Sequence, residues 1–224
     1  MRISVFGDSI LKGVILENGK YIMDSDTKRR LTDDCGLDLD THCKFGATVN
    51  VGSRLLDREL LRGEPGKYTV LEFGGNDSDF KWSEISMEPD KEHLPLTSMA
   101  DFKQNIAAMT EELRAQGVQP IMMTLPPIEP NRYLDFVSRN GNSRENILKW
   151  LGYVEKIYET HKSYSDAVAE IAQERIVPLV DVRSAFPSGN ALSEYMCIDG
   201  VHPDKKGYQL IADSFASFFE KALA

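Results

Sequence analysis

Basic residues are in short supply. In a chain of 224 residues, 26 Lys and Arg stand against 35 Asp and Glu, a formal net charge of −9. That balance argues against a nucleic-acid partner, whose phosphates call for a basic patch, and gives no help in binding an anionic membrane. Cysteine is scarce as well. Cys35, Cys43 and Cys197 are odd in number and scattered, so no disulfide framework is expected, and no C-x-x-C pair points to zinc. Cys43 reads as a core residue. No apolar run approaches the roughly 18 residues of a membrane span. The N-terminus has no basic segment followed by a long apolar one, so no signal peptide is expected. The expected compartment is the cytoplasm, provided the chain is not a trimmed mature form.

What is present is ordinary for a globular protein: 42% hydrophobic and 27% charged residues, enough for one domain over residues 1–224 with a single buried core. Strand-like apolar runs fall at 3–6, 41–45, 68–73, 120–125 and 176–180. Helical periodicity appears at 55–61, 99–116, 144–159, 164–174 and 206–223. In 99–116 the apolar positions Phe102, Ile106, Met109 and Leu113 repeat at helical spacing, and Gly117 offers a C-cap. Strands alternating with helices predict β-α units, hence a parallel sheet covered on both faces, a three-layer α/β/α domain. Functional loops then belong at the carboxyl ends of the strands. Residues 81–95 and 126–143 read as long irregular stretches, of the kind that form lids or binding loops.

Three clusters sit at or near strand ends. Gly7-Asp8-Ser9 closes the first strand; Ser9 is either a helix cap or a nucleophile, with Asp8 as its scaffold. Gly74-Gly75-Asn76-Asp77 follows the third strand, where Asn76 is either part of a plain turn or an amide donor aimed at a site. Asp77 and Asp79 are expected to shape this loop. Trp82, just beyond, is either a pocket wall or a buried anchor. The third cluster is Asp199-Gly200-Val201-His202-Pro203. A carboxylate three residues from an imidazole can fix its tautomer and stabilise the imidazolium. The chain has four histidines, and His202 alone has such a setting; His42, His93 and His161 do not. Acyl transfer needs a nucleophile, a base, a group to orient the base and donors for an oxyanion, and the clusters contain all four. Phe45-Gly46-Ala47-Thr48, after the second strand, adds a glycine N–H.

These blocks, FGDSI, FGAT, GGND and DGVHP in that order, resemble those of the SGNH hydrolases, the GDSL-type esterases and lipases, from the start of the chain to about residue 208. The resemblance implies a flavodoxin-like sheet of about five parallel strands in the order 2-1-3-4-5. It implies Ser9 as nucleophile, His202 as base and Asp199 as orienting acid, with an oxyanion hole built from the Ser9 N–H, the Gly46 N–H and the Asn76 side chain. The first block has Ile10 in place of leucine, and the second lacks a longer glycine-rich signature, which leaves Gly52 as a rival to Gly46. No metal or cofactor is implied. The expected partner is a small ester, with a short acyl group, such as acetyl on a carbohydrate, expected first and lysophospholipids and thioesters as alternatives. The sequence is silent on oligomeric state. Two rival readings stand beside it: a metal-dependent phosphoesterase using Asp8, Asn76, Asp77, Asp199 and His202, and a non-catalytic binding domain on the same fold.

Overall fold

Alternation along the first strand organises the molecule. In β1 (Arg2–Gly7), Ile3 and Val5 point to one face and Phe6 to the other, and all three are buried. A computed structural model describes residues 2–24, 26, 29, 32, 33, 36–63 and 66–223. β1 pairs in parallel with β4 (Asp38–Cys43) on one side and β5 (Tyr68–Leu71) on the other. β6 (Gln119–Met123) and β7 (Leu179–Val180) extend the sheet, giving the order β4-β1-β5-β6-β7 with every pairing parallel. Counted among the sheet strands alone, that is the expected 2-1-3-4-5.

Helices cover both faces. On one, α7 (Lys205–Leu223) brings Tyr208, Ile211, Phe215 and Phe219 onto Ile3, Val5, Val70 and Ile121. On the other, α1 (Val49–Arg62), α3 (Met99–Ala115) and α6 (Lys156–Glu174) pack on Phe6, Leu71 and Met122. Burial on both sides is why the central strands read as continuous apolar runs. Among the described residues no helix is long and apolar enough to cross a membrane.

Several boundaries differ from expectation. β4 covers Asp38–Cys43 rather than 41–45: it is a half-exposed edge strand whose Asp38 and Asp40 hid its start from an apolar pattern, and it ends where the Ala47 N–H closes a turn on the Lys44 carbonyl. Cys43 itself is partly buried, packed against the core rather than within it, and Cys35 lies outside the described residues. Only Leu179 and Val180 of the last run form a strand. The run 144–159 breaks at Gly152, whose φ of 81° closes α5 (Arg144–Leu151); α6 then begins at Lys156 and absorbs 164–174. Residues 81–95 contain α2 (Trp82–Met87), and residues 126–143 contain α4 (Pro130–Val137). An unexpected hairpin, β2 (Val14–Glu17) and β3 (Lys20–Met23), turns on Asn18-Gly19 with φ of 51° and 74°, the left-handed pair that a two-residue hairpin turn demands.

Candidate active site

β1 and its neighbours end level, Gly7 opposite Cys43 and Phe6 opposite Leu71, so their following loops converge on one edge. At Gly7 an added Cβ would meet Glu72 Oε2 at 2.8 Å, so a larger residue here would displace the buried Glu72 carboxyl. The chain then turns. Asp8 Oδ1 accepts the Ile10 N–H at 2.7 Å, and the Val14 N–H returns to the Ser9 carbonyl at 3.0 Å. No helix follows, so Ser9 is not a helix cap. Its Oγ lies 2.9 Å from His202 Nε2.

The Asp199–His202 segment holds the other partners. Asp199 Oδ1 accepts the backbone N–H groups of Val201 and His202, each at 3.1 Å, while Oδ2 lies 2.8 Å from His202 Nδ1. Burial pushes the Asp199 carboxyl up, but the bond and charge of His202, with the two backbone donors, hold it below the usual range. Gly200, at φ 74°, lies so close to α4 that a Cβ would meet the Glu129 carbonyl at 2.5 Å, and the Glu129 N–H binds the Gly200 carbonyl at 2.8 Å. The histidine loop is thereby anchored to α4. Ser9, Asp199 and His202 are 5%, 0% and 4% exposed, which leaves little water to compete for their hydrogen bonds. The Tyr21 ring, from β3, lies 5.1 Å from the imidazole, and Phe45 stacks on it at 5.7 Å. Burial and the neighbouring Asp199 carboxylate raise the Tyr21 phenol. Sequence reasoning missed Tyr21, although Asn18-Gly19 marks the hairpin that delivers it.

Asn76 enters from the loop after β5. Its Nδ2 donates to Asp8 Oδ2 at 2.6 Å and to the Ala47 carbonyl at 3.2 Å. Gly46, at φ 70°, occupies the turn between Phe45, which lines the cleft, and Ala47; Ala47 N–H closes that turn on the Lys44 carbonyl at 3.1 Å. The rival glycine has a different task. Gly52 lies in α1 beneath Phe73, where a Cβ would approach the ring to 2.2 Å. Asp77 is turned away from the cleft, its carboxylate accepting the Val49 N–H at the start of α1 at 3.0 Å, which favours a negative group; burial raises its pKa to about 6. Of the side chains an oxygen-rich metal site would draw on, Asp77 and Asp199 are thus bound up elsewhere. Among the described residues no group of three or more His, Cys, Asp or Glu could hold a metal ion.

Asp8 does more than brace the serine turn, since it also fixes the Asn76 amide. Beneath it lies Glu72, fully buried, with Oε2 accepting the Asp8 N–H at 3.2 Å and Oε1 without a hydrogen-bond partner. Burial, then repulsion from Asp8, drives the Glu72 carboxyl well above its usual range; burial takes Asp8 to about 6. A carboxyl whose folded pKa is raised supports the fold fully while the unfolded chain is also protonated, and loses that support as pH climbs toward the folded value. The support from Glu72 and Asp8 should therefore fall as pH rises from about 4 upward. Glu72→Gln, which removes one titrating group but keeps the acceptor, should flatten that slope. Melting temperatures of both proteins between pH 5 and 8 test this, and parallel curves would contradict it.

The cleft beside Ser9 encloses about 300 Å³. Its far wall comes from the two stretches expected to be irregular. Trp82, Ile85, Ile128, Tyr133 and Leu134 join Ile147 and Ile157 in a third apolar cluster, so this wall is packed rather than loose. Trp82 answers to both of its readings: it lines the cleft, and its indole N–H is anchored on Asp79 Oδ1 at 2.7 Å. His161 is a second departure. Without a partner in the sequence, it nevertheless lines the cleft from α6, with Nδ1 3.4 Å from Arg183 Nη1.

Residues 5–210 match the model of the GDSL-like lipase/acylhydrolase family. The GDSL esterase/lipase CPRD49 of Arabidopsis thaliana is 27% identical over 153 residues, 68% of this chain and 54% of that protein. The isoamyl acetate-hydrolyzing esterase of Saccharomyces cerevisiae is 27% identical over 164 residues, 72% of this chain and 60% of its own length. The chain therefore spans little more than half the length of these curated relatives. Among solved structures, a lipase/acylhydrolase from Enterococcus faecalis superposes with a TM-score of 0.68 at 19% identity, covering 99% of this chain and 96% of that one. At that identity the likeness concerns the fold.

Proposed function

Since the chain belongs to the GDSL-like lipase/acylhydrolase family, we propose that it is a serine esterase acting on short acyl esters, acetyl groups on carbohydrate among them, through Ser9, His202 and Asp199. The observation that carries this reading is the unbroken chain from Ser9 Oγ to His202 Nε2 at 2.9 Å and from His202 Nδ1 to Asp199 Oδ2 at 2.8 Å. Asp199 accepts the Nδ1 proton, which leaves the Nε2 lone pair facing the hydroxyl. His202 takes the serine proton as Oγ attacks the ester carbonyl, then returns it to the departing alcohol. Water, deprotonated by the same imidazole, releases the acid and restores Ser9. Charge on the carbonyl oxygen falls to the Ser9 and Gly46 N–H groups and the Asn76 amide. Asp8 keeps one Asn76 N–H, and the longer contact to Ala47 gives way to the oxyanion.

A cleft of about 300 Å³ suits a short acyl group with a ring-sized alcohol, and the yeast relative is named for an acetate ester. Covalent labelling of Ser9 by a fluorophosphonate, with hydrolysis undiminished in EDTA, is the expected result; loss of activity in EDTA with Ser9 unlabelled would favour the metal-dependent rival. Asn76→Ala should lower kcat about a hundred- to a thousand-fold, the usual effect of removing one oxyanion donor, with a much smaller change in KM. A loss confined to KM would remove Asn76 from the oxyanion hole.

A further inference from the structure

His161 has no part in this chemistry, yet it is built into the cleft with its tautomer fixed. A guanidinium cannot accept a hydrogen bond, so the 3.4 Å contact makes His161 Nδ1 the acceptor and Arg183 Nη1 the donor. The ring proton therefore resides on Nε2. Arg183 is itself held: its Nη1 also reaches the Leu125 carbonyl at 3.3 Å, its backbone N–H binds Thr124 Oγ1 at 3.0 Å, and its guanidinium lies 4.8 Å from the centre of the Tyr158 ring. Burial and the Arg183 charge keep the imidazole neutral, with its pKa lowered to about 3. Nε2 looks toward the oxyanion side of the cleft. A methyl group placed on Gly75 would stand 3.9 Å from it and 3.5 Å from Asp8 Oδ2. The result is a fixed N–H donor at a cleft whose other walls are Phe80, Trp82, Tyr133 and Phe136. Ser78 and Asp79 also line the cleft, but Ser78 Oγ donates to the Gly75 carbonyl and Asp79 Oδ1 accepts the Trp82 indole N–H, so the oriented His161 N–H is a polar group by which the site can select a ligand.

We propose that His161 is a specificity-determining residue whose Nε2–H binds an oxygen of the alcohol portion of the ester, so that acylated carbohydrates are favoured over esters of simple alkanols. This rests on the esterase reading. An acetyl group has no oxygen beyond the carbonyl and the ester bridge; the carbonyl oxygen belongs to the oxyanion donors and the bridging oxygen to His202. A further donor in the cleft therefore meets the alcohol. A sugar ring offers hydroxyls to it and C–H faces to the aromatic wall, whereas a butyl chain leaves the donor unpaired, the situation that gives polar pockets their selectivity.

The test compares kcat/KM for an acetylated methyl xyloside with that for butyl acetate. The parent protein should prefer the xyloside. His161→Leu should reduce that preference about tenfold, in line with losing one buried donor, while His161→Gln, which keeps an N–H, should retain part of it. Gly75→Ala supplies a separate route: its methyl would make only ordinary contacts, with Asp8 Oδ2 and His161 Nε2, but would occupy space beside the donor, so it too should reduce the preference. A preference unchanged in His161→Leu, or a parent that favours butyl acetate, overturns the assignment. Fluorophosphonate labelling separates the two failures. With Ser9 labelled and esters turned over, only the role of His161 falls; with Ser9 unlabelled and no ester turned over, the esterase reading falls and takes this one with it.

Discussion

Ser9→Ala protein should fold as its parent does and lose ester hydrolysis by at least about ten-thousand-fold, the scale seen when a serine nucleophile is removed from a preassembled site. The side chain contributes little else: Ser9 Oγ touches His202 Nε2, while the turn around it is held by Asp8 and by backbone bonds that alanine preserves. Removing the hydroxyl leaves the buried imidazole nitrogen without its partner, which costs about 1–3 kcal/mol at most, less if water enters from the cleft. Residual activity should come from the oxyanion donors and from binding, which do not need the hydroxyl. The two measurements are a melting curve, expected close to the parent's, and a pre-steady-state assay with substrate in excess, expected to show no burst of alcohol release. A variant that retains the burst would place the nucleophile elsewhere.

The proposed reacting groups were legible because each lies in a short glycine-containing block, those of Ser9 and Asn76 just after β1 and β5, where parallel topology gathers loops, and because His202 is one of only four histidines. Ser9, Asn76, Asp199 and His202 needed no packing information to be noticed, and the structure does bring them together. The alternation of strands and helices foretold a parallel three-layer sheet, while its strand order was implied only by the family resemblance. What was illegible depended on three-dimensional neighbours. His161 has nothing beside it in sequence; Arg183, 22 residues away, and the turn of α6 give it a role. Glu72 looked like one residue of an apolar strand, and only its burial against Asp8 makes it a titrating group of consequence. The wall of the cleft was hidden by its own punctuation. Pro126, Pro127 and Pro130 suggested an irregular loop, but Pro130 occupies the first turn of α4, where its missing N–H is harmless, and the Glu129 side chain caps that end. Ser86 stitches the two stretches together, accepting the Ser143 N–H at 2.6 Å, with its carbonyl accepting from Asn146 at 2.7 Å.

Asp199→Asn should lower kcat by about ten-thousand-fold with the site's geometry intact, the effect of putting the imidazole in the wrong tautomer. Asp199 accepts three hydrogen bonds: two backbone N–H groups on Oδ1 and the imidazole on Oδ2. An asparagine can satisfy the backbone pair with its carbonyl oxygen, and its NH2 then faces His202 Nδ1. Because that NH2 donates, Nδ1 must accept, and the ring proton moves to Nε2, opposite Ser9 Oγ. The base would then present a proton where it needs a lone pair. The opposite rotamer keeps the tautomer but points the NH2 at two backbone donors, so it should be disfavoured. Stability should fall only modestly, since the backbone bonds survive. Nitrogen chemical shifts of the His202 ring provide the decisive readout: Nε2 should carry the proton in the variant and Nδ1 in the parent. A variant within tenfold of the parent, or an unchanged tautomer alongside a large loss, would mean that Asp199 acts by some means other than orienting the base.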